Sequence, residues 1–242
     1  IQQVDFGYTD QLILKKFSCQ IPKNRITAVV GTNGSGKSTL FKVLTRLYEP
    51  QGGRILYGDK ACTDYSLHSW RKKVCLIAQG SPMMAGTIRE NICYGREEQV
   101  SEDELVEVAK LSHVYDFVKE LPDGFDTVVT AGGGNFSGGQ KQCIAIARAM
   151  MSKSDYLLLD EATSNLDVKR EKDVMEALDR LMKDRTTVII AHSIATIKNA
   201  DHVIVVNKGN VEMEGVPSSI LEQTDNYLEK MMERKWGDVV VE

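Results

Sequence analysis

Short apolar runs punctuate this chain, several followed by apolar residues at helical spacing. Ile26-Thr27-Ala28-Val29-Val30, Val74 to Ala78, Tyr156 to Leu159 and Thr187 to Ala191 are such runs. Continuous hydrophobicity over four or five residues is what a strand covered on both faces of a parallel sheet requires. Leu40, Val43, Leu44 and Leu47 then recur with a period near 3.6, as do Val174, Ala177, Leu178 and Leu181 within Val168 to Lys183. The last of these helices lies between two buried strands and predicts a βαβ unit.

Elsewhere the pattern changes. The first 76 residues read as strand-rich: Val4-Asp5-Phe6-Gly7-Tyr8 alternates, Leu12-Ile13-Leu14 does so with its neighbours, and Gly52 to Gly58 is a short strand between turn signals. Residues 87–151 read as helical. There Ser101-Glu102-Asp103-Glu104 predicts a capping box. Leu105, Val108, Leu111, Tyr115 and Val118 predict one apolar stripe, closed by the turn Pro122-Asp123-Gly124. Asp201 to Gly215 predicts a hairpin turning at Asn207-Lys208-Gly209-Asn210. A last helix is expected to carry Tyr227, Leu228, Met231 and Met232.

Composition narrows the function classes. The chain has 242 residues and a formal net charge of -4, which argues against a nucleic-acid-binding surface. No uncharged apolar run approaches the ~20 residues of a membrane helix, and no signal peptide is expected. Cys19, Cys62, Cys75, Cys93 and Cys143 form no C-x-x-C pair and read as free thiols. His68, His113 and His202 are scattered, with no metal-ligand spacing. Because the chain starts at Ile1, it is expected to be one segment of a longer protein.

Three segments carry chemistry. Gly31-Thr32-Asn33-Gly34-Ser35-Gly36-Lys37-Ser38 fits G-x-x-x-x-G-K-[ST], the phosphate-binding loop. Gly34 and Gly36 let the backbone turn so that N–H groups converge on an anion. The following helix adds its positive end, Lys37 a point charge on the β- and γ-phosphates, and Ser38 a hydroxyl for Mg2+. Asp160-Glu161 closes a buried strand, a rigid place from which to aim carboxylates. Asp160 is expected to hold Mg2+, directly or through water, and Glu161 to act as general base on the attacking water. His192 and Gln79 each end an apolar run. The first could donate to a γ-phosphate; the second could reach the ion or the lytic water. The remaining segment is Phe136-Ser137-Gly138-Gly139-Gln140, which reads either as an ordinary helix N-cap or as an anion site. One phosphate loop already cradles one ATP, so a second anion-binding helix start either takes something else or serves a second molecule.

The order of these motifs resembles the nucleotide-binding domain of the ATP-binding-cassette (ABC) transporter family, over essentially the whole chain. The resemblance rests on the phosphate loop, Gln79, the signature at Phe136 to Gln140, Asp160-Glu161, Ser164-Asn165-Leu166-Asp167 and Ala191-His192. It implies an α/β fold: a P-loop NTPase core with a parallel sheet, an N-terminal antiparallel β subdomain and an inserted α-helical subdomain. About 1–86 and 152–242 would be the core with the β subdomain, and about 87–151 the helical signature subdomain. It implies ATP and Mg2+ as ligands and a head-to-tail pair with a second nucleotide-binding domain. In that pair Tyr8 would stack on adenine. Residues Gly31 to Ser38 and Thr39 would hold the phosphates. Ser137, Gly138, Gly139 and Gln140 would meet the nucleotide of the partner, and Asp167 would cross the interface.

Ala85-Gly86-Thr87-Ile88-Arg89-Glu90-Asn91-Ile92 is similar to the exporter branch, in which membrane helices precede this domain. That implies a transmembrane domain as partner and a place on the cytoplasmic side of a membrane. The alternative is a soluble ATPase of the same class. The repair type needs a long coiled coil between phosphate loop and signature, and the ribosomal type two cassettes in one chain; neither fits. The sequence departs from the family pattern at Ala131, Phe136, Cys143, Asn165 and Ser193, but retains Lys37, Ser137, Glu161 and His192.

Overall fold

A computed structural model describes residues 1–160, 168–224 and 228. The chain divides into two compact units, Ile1–Arg71 with Thr186–Glu242, and Lys72–Arg185.

The first unit opens with β1 (Gln2–Phe6) and β2 (Leu14–Phe17), continues through β3 (Ile26–Val30) and α1 (Lys37–Leu44), then β4 (Gly52–Arg54), β5 (Leu56–Tyr57) and β6 (Lys60–Ala61). Helix α2 (Leu67–Lys73) crosses from the first unit into the start of the second. An antiparallel sheet orders β2-β1-β4. The alternation expected around Leu12 begins only at Leu14, whose partner in the register is Phe6. Helix α1 stops before Leu47. Thr45 caps it, Arg46 takes φ 52, and the Trp70 indole donates to the Leu44 carbonyl at 2.8 Å. Leu47, expected on the buried stripe, is therefore 59% exposed: the helical period ends one turn earlier than the hydrophobic one.

The second half of this unit returns with β11 (Thr186–Ile190), α8 (Ile194–Lys198), the hairpin β12 (His202–Asn207) and β13 (Asn210–Gly215), and α9 (Pro217–Thr224). β3 pairs in parallel with both β11 and β12, and β13 is antiparallel on β12. Ala28, Val30, Val203, Val205, Ile197, Ile220 and Leu228 share one core. Strands buried on both faces explain why these runs carry no polar alternation. Of the expected last helix only Leu228, buried, is described; Tyr227, Met231 and Met232 lie outside the described residues.

The second unit pairs β7 (Val74–Ile77) with β10 (Tyr156–Asp160) in parallel, and β8 (Gly86–Thr87) with β9 (Val128–Val129) antiparallel. Its helices are α3 (Ile88–Cys93), α4 (Glu102–Leu111), α5 (Tyr115–Val118), α6 (Gly138–Ser152) and α7 (Val168–Met182). Helix α6 is buried almost all round and packs on α3, α4, α7 and β7. Val174, Ala177, Leu178 and Leu181 of α7 are buried, as their spacing predicts.

Two helical expectations change in detail. Ser101 accepts the Glu104 N–H at 3.2 Å, but the Glu104 carboxylate reaches Lys153 at 2.8 Å and Arg96 at 3.6 Å. Side chains from other elements outbid the local return bond, so only half of the predicted box forms. The stripe from Leu105 to Val118 is broken. α4 ends at Ser112, His113 takes φ 59, and Leu111 is exposed. Buried Ser112 turns its hydroxyl onto the Val108 carbonyl at 2.8 Å, a local bond that competes with helix continuation.

Candidate ATP-binding site

In the first unit the phosphate loop joins β3 to α1. Gly36 takes φ 107 at the N-cap, with no side-chain cap, so the helix start is shaped by the loop alone. A Cβ at Gly31 would sit 2.3 Å from the Val206 carbonyl oxygen and 2.6 Å from Ser35 Oγ, whereas one at Gly34 would meet nothing within 4 Å. Gly31 is thus glycine because the backbone of β12 lies against it, and Gly34 because its φ of 76 demands it. Lys37 is only 7% exposed, and its ammonium donates to the carbonyls of Gly31 and Thr32, each at 2.8 Å. An ammonium has three donors, and here it closes over the loop that would hold a phosphate chain. The loop therefore fits a triphosphate: open on the Gly34 side, with a buried cation at its centre.

The loop is held from behind by the β12–β13 turn. The Gly209 N–H donates to the Ser35 carbonyl at 3.0 Å, and the Gly209 carbonyl accepts the Lys15 N–H at 3.0 Å. Gly209 takes φ 85, and a Cβ there would fall 1.9 Å from the Ile13 carbonyl oxygen. We expect Gly209→Ala to cost about 2 kcal/mol from the backbone strain alone, and to weaken ATP binding because the turn must leave Ser35. Thermal melting with ATP titration checks this; an unchanged melting point and affinity would refute the buttress.

His192 stands beside the same loop. Ile190 pairs with Val29 in parallel register, so His192 and Gly31 each lie two residues beyond a paired position. The Ala191 N–H donates to the Val29 carbonyl at 3.0 Å. Ser193, where the family often has arginine, accepts the Thr196 N–H at 3.2 Å as the cap of α8. Tyr8 lies over the start of α1, 45% exposed. Its hydroxyl is 3.4 Å from Thr39 Oγ1, and its ring meets Phe6 and Tyr48 edge-on at 5.2 Å each.

The second unit carries the other predicted residues. Leu159 pairs with Ile77 in parallel register. Gln79 and Asp160 therefore leave the carboxyl ends of neighbouring strands together, Gln79 exposed and Asp160 half-buried. Glu161, Asn165 and Asp167 lie outside the described residues. Ser137 is the N-cap of α6. It accepts the Gln140 N–H at 3.3 Å while Gln140 Oε1 accepts the Ser137 N–H at 2.9 Å. The capping reading of this segment is thus correct as local structure. Ser137 and Gly138 nevertheless face solvent, at the start of a 15-residue helix.

Sequence reasoning missed how the segment after Gln79 is held. Arg148 of α6 donates to the Asn91 carbonyl at 2.7 Å, to Asn91 Oδ1 at 2.8 Å and to the Pro82 carbonyl at 3.3 Å. Buried Asn91 in turn donates to the carbonyls of Met84 and Thr87 and accepts the Met84 N–H. Ser81, at φ 45, donates to Gln142 Oε1 of α6. Gly132 and Gly133 take φ 73 and 66, and Asn135 ties the same loop to Val128 and Thr130, so Ala131 sits in a turn fixed without any charge of its own. A lone arginine within the otherwise apolar run Ile144 to Met151 was the available signal for this network.

With the geometry in place, the comparisons with known proteins are direct. The ABC transporter family matches residues 14–164. This chain belongs to that family, and it is an ATP-binding ATPase domain of it. It is 44% identical over 224 residues to ABC transporter B family member 17 of Arabidopsis thaliana, covering 91% of this chain and 18% of that protein. It is 40% identical over 227 residues to the ATP-dependent lipid A-core flippase of Syntrophus aciditrophicus, covering 94% and 38%. The structure of a bacterial Atm1-family ABC exporter with ATP bound superposes with a TM-score of 0.87 at 34% identity, over 99% of this chain and 42% of that one. The chain thus spans less than half the length of these relatives.

Proposed function

We propose that this chain is the ATP-driven motor domain of a membrane exporter, working in a head-to-tail pair with a second domain of its kind. The observation that carries this reading is the exposed, self-capped start of α6. A helix start leaves its first N–H groups without partners in the helix, and the positive end of a long helix suits an anion. The phosphate loop is already a full cradle for one triphosphate, so the signature fits the γ-phosphate of another molecule's ATP.

The roles follow. Gly31 to Thr39 hold the phosphates, and Tyr8 stacks on adenine. Asp160, Gln79 and the exposed Ser38 hydroxyl are oxygen donors of the kind Mg2+ takes. Among the described residues no cluster of three or more His, Cys, Asp or Glu could hold a metal. When bound, Mg2+ neutralises charge between the β- and γ-phosphates. Glu161 takes the proton of the attacking water, and His192 donates to the γ-phosphate. Asp167 is assigned by the resemblance to the contact with the second domain. Residues 87–151 form the helical subdomain that presents the signature, and the remainder the core with its β subdomain.

ATP closes the pair because it binds across it, and hydrolysis reopens it. The stretch Ala85 to Ile92 and the names of the relatives support export, with a transmembrane domain as the further partner and the cytoplasmic face of a membrane as the place. No helix among the described residues is long and apolar enough to cross a membrane. Nucleic acid is not a partner in this reading.

Ser137→Arg tests the reading. Arginine places a cation and several atoms of bulk where the partner's phosphate would sit. ATP-driven pairing, measured by light scattering with ATP and Mg2+, should be lost, while ATP affinity of the unpaired protein stays within about twofold. Loss of monomer binding instead would put the signature in the site of its own chain.

A further inference from the structure

Tyr8 does not stand alone in its corner. The Lys42 ammonium lies over its ring, 5.2 Å from the centroid. Both residues are fixed to the same short helix: Lys42 is one turn after Thr39, and the Tyr8 hydroxyl meets Thr39 Oγ1 at 3.4 Å. Phe6 and Tyr48 stand at 87° and 82° to the ring and hold it at its flanks. The first residues after Tyr8 fold back tightly. A Cβ on Gly7 would lie 2.2 Å from the Gln11 carbonyl oxygen, and Gln51 Nε2 donates to the Gly7 carbonyl at 3.1 Å. The corner is therefore built in one orientation, with a cation on the ring and 45% of Tyr8 open to solvent.

We infer that Lys42 is a positioning residue for the nucleotide base, a cationic backstop that sets Tyr8 for stacking. This rests on the reading of Tyr8 as the adenine platform. A cation on an aromatic face is attracted by the ring quadrupole. It fixes the plane of the ring through α1, the helix that also carries the phosphate-binding Lys37 and Thr39, so base and phosphates are registered by one rigid element. It also draws electron density from the ring, which favours stacking with an electron-rich purine on the opposite face. Lys42 is thereby assigned to base recognition, separate from the phosphate charge supplied by Lys37.

Titration of the intact protein with ATP and with inorganic triphosphate tests the assignment. Lys42→Met should weaken ATP about three- to fivefold, the range of one cation–π contact, and leave triphosphate unchanged; Lys42→Arg should restore ATP binding. In a Tyr8→Ala background the Lys42→Met change should have no further effect. Tighter ATP binding by Lys42→Met would mean that lysine and base compete for one face. Equal losses for ATP and triphosphate would mean a simple charge effect, and unchanged ATP affinity no effect at all. Each of these overturns the proposal. If Tyr8→Ala itself leaves ATP affinity intact, the adenine platform fails, independently of Lys42.

Discussion

Glu161→Gln is expected to bind ATP, to turn it over roughly 10²- to 10⁴-fold more slowly, the usual worth of a general base, and to accumulate as an ATP-bound pair. The amide is nearly isosteric with the carboxylate but cannot accept the water's proton, so closure proceeds and reopening does not. Asp160 is held at the end of β10, beside Gln79 at the end of β7, and Glu161 follows it directly. Leu157 to Leu159, which precede Asp160 in β10, are buried. Size exclusion with ATP and Mg2+, run beside a phosphate-release assay, gives both readouts. A variant that stays monomeric at every ATP concentration with full turnover would remove Glu161 from the chemistry.

Arg148→Met carries the second large effect, on stability. Burial holds the Arg148 guanidinium below its ordinary pKa. Among the described residues no carboxylate pairs with it; its partners are the Asn91 carbonyl and side-chain oxygen and the Pro82 carbonyl. Methionine is of similar volume but shorter; it removes the charge and leaves the Asn91 carbonyl facing an apolar side chain, while Asn91 Oδ1 keeps the Met84 N–H and exposed Pro82 leaves its carbonyl to water. Each buried acceptor left unpaired costs about 1–3 kcal/mol, and removal of a buried charge returns part of that. A net loss of about 1–2 kcal/mol is expected, which for a chain of this size lowers the melting temperature by roughly 2–8 °C. The segment from Gln79 to Thr87 loses its anchor to α6, so hydrogen exchange there should rise first. A melting point within one degree of the parent would show that the network contributes nothing net.

Much of this architecture was readable from residue order. β3, β7, β10 and β11 lie within a residue of where continuous apolar runs place them, because a doubly covered strand leaves no freedom to alternate. The hairpin was readable from Gly209 between Asn207 and Asn210, since glycine readily takes the positive φ of 85 that the turn requires there. Boundaries decided by competition were not readable. Glu104 abandoned its own cap for Lys153, Leu47 was cut off by the Trp70 contact to the end of α1, and Ser112 with His113 divided a stripe that looked continuous. In each case a partner distant in sequence, or a local side-chain bond, outweighed the periodic signal.

The same division runs through the site. Lys37, Ser38, the signature, Asp160, Glu161 and His192 can be proposed from residue order alone, because a phosphate cradle and the groups proposed to act on it need particular residue types at particular spacings. Residue order could not assign the supports around them. That Gly31 is glycine because of Val206, that Gly209 holds Ser35, that Arg148 serves the segment after Gln79, and that Lys42 rests on Tyr8 are all consequences of packing. Chemistry is written in side-chain identity and spacing, which are local. Support comes from contacts between residues as far apart as Gly31 and Val206, and these exist only once the chain has closed around its core.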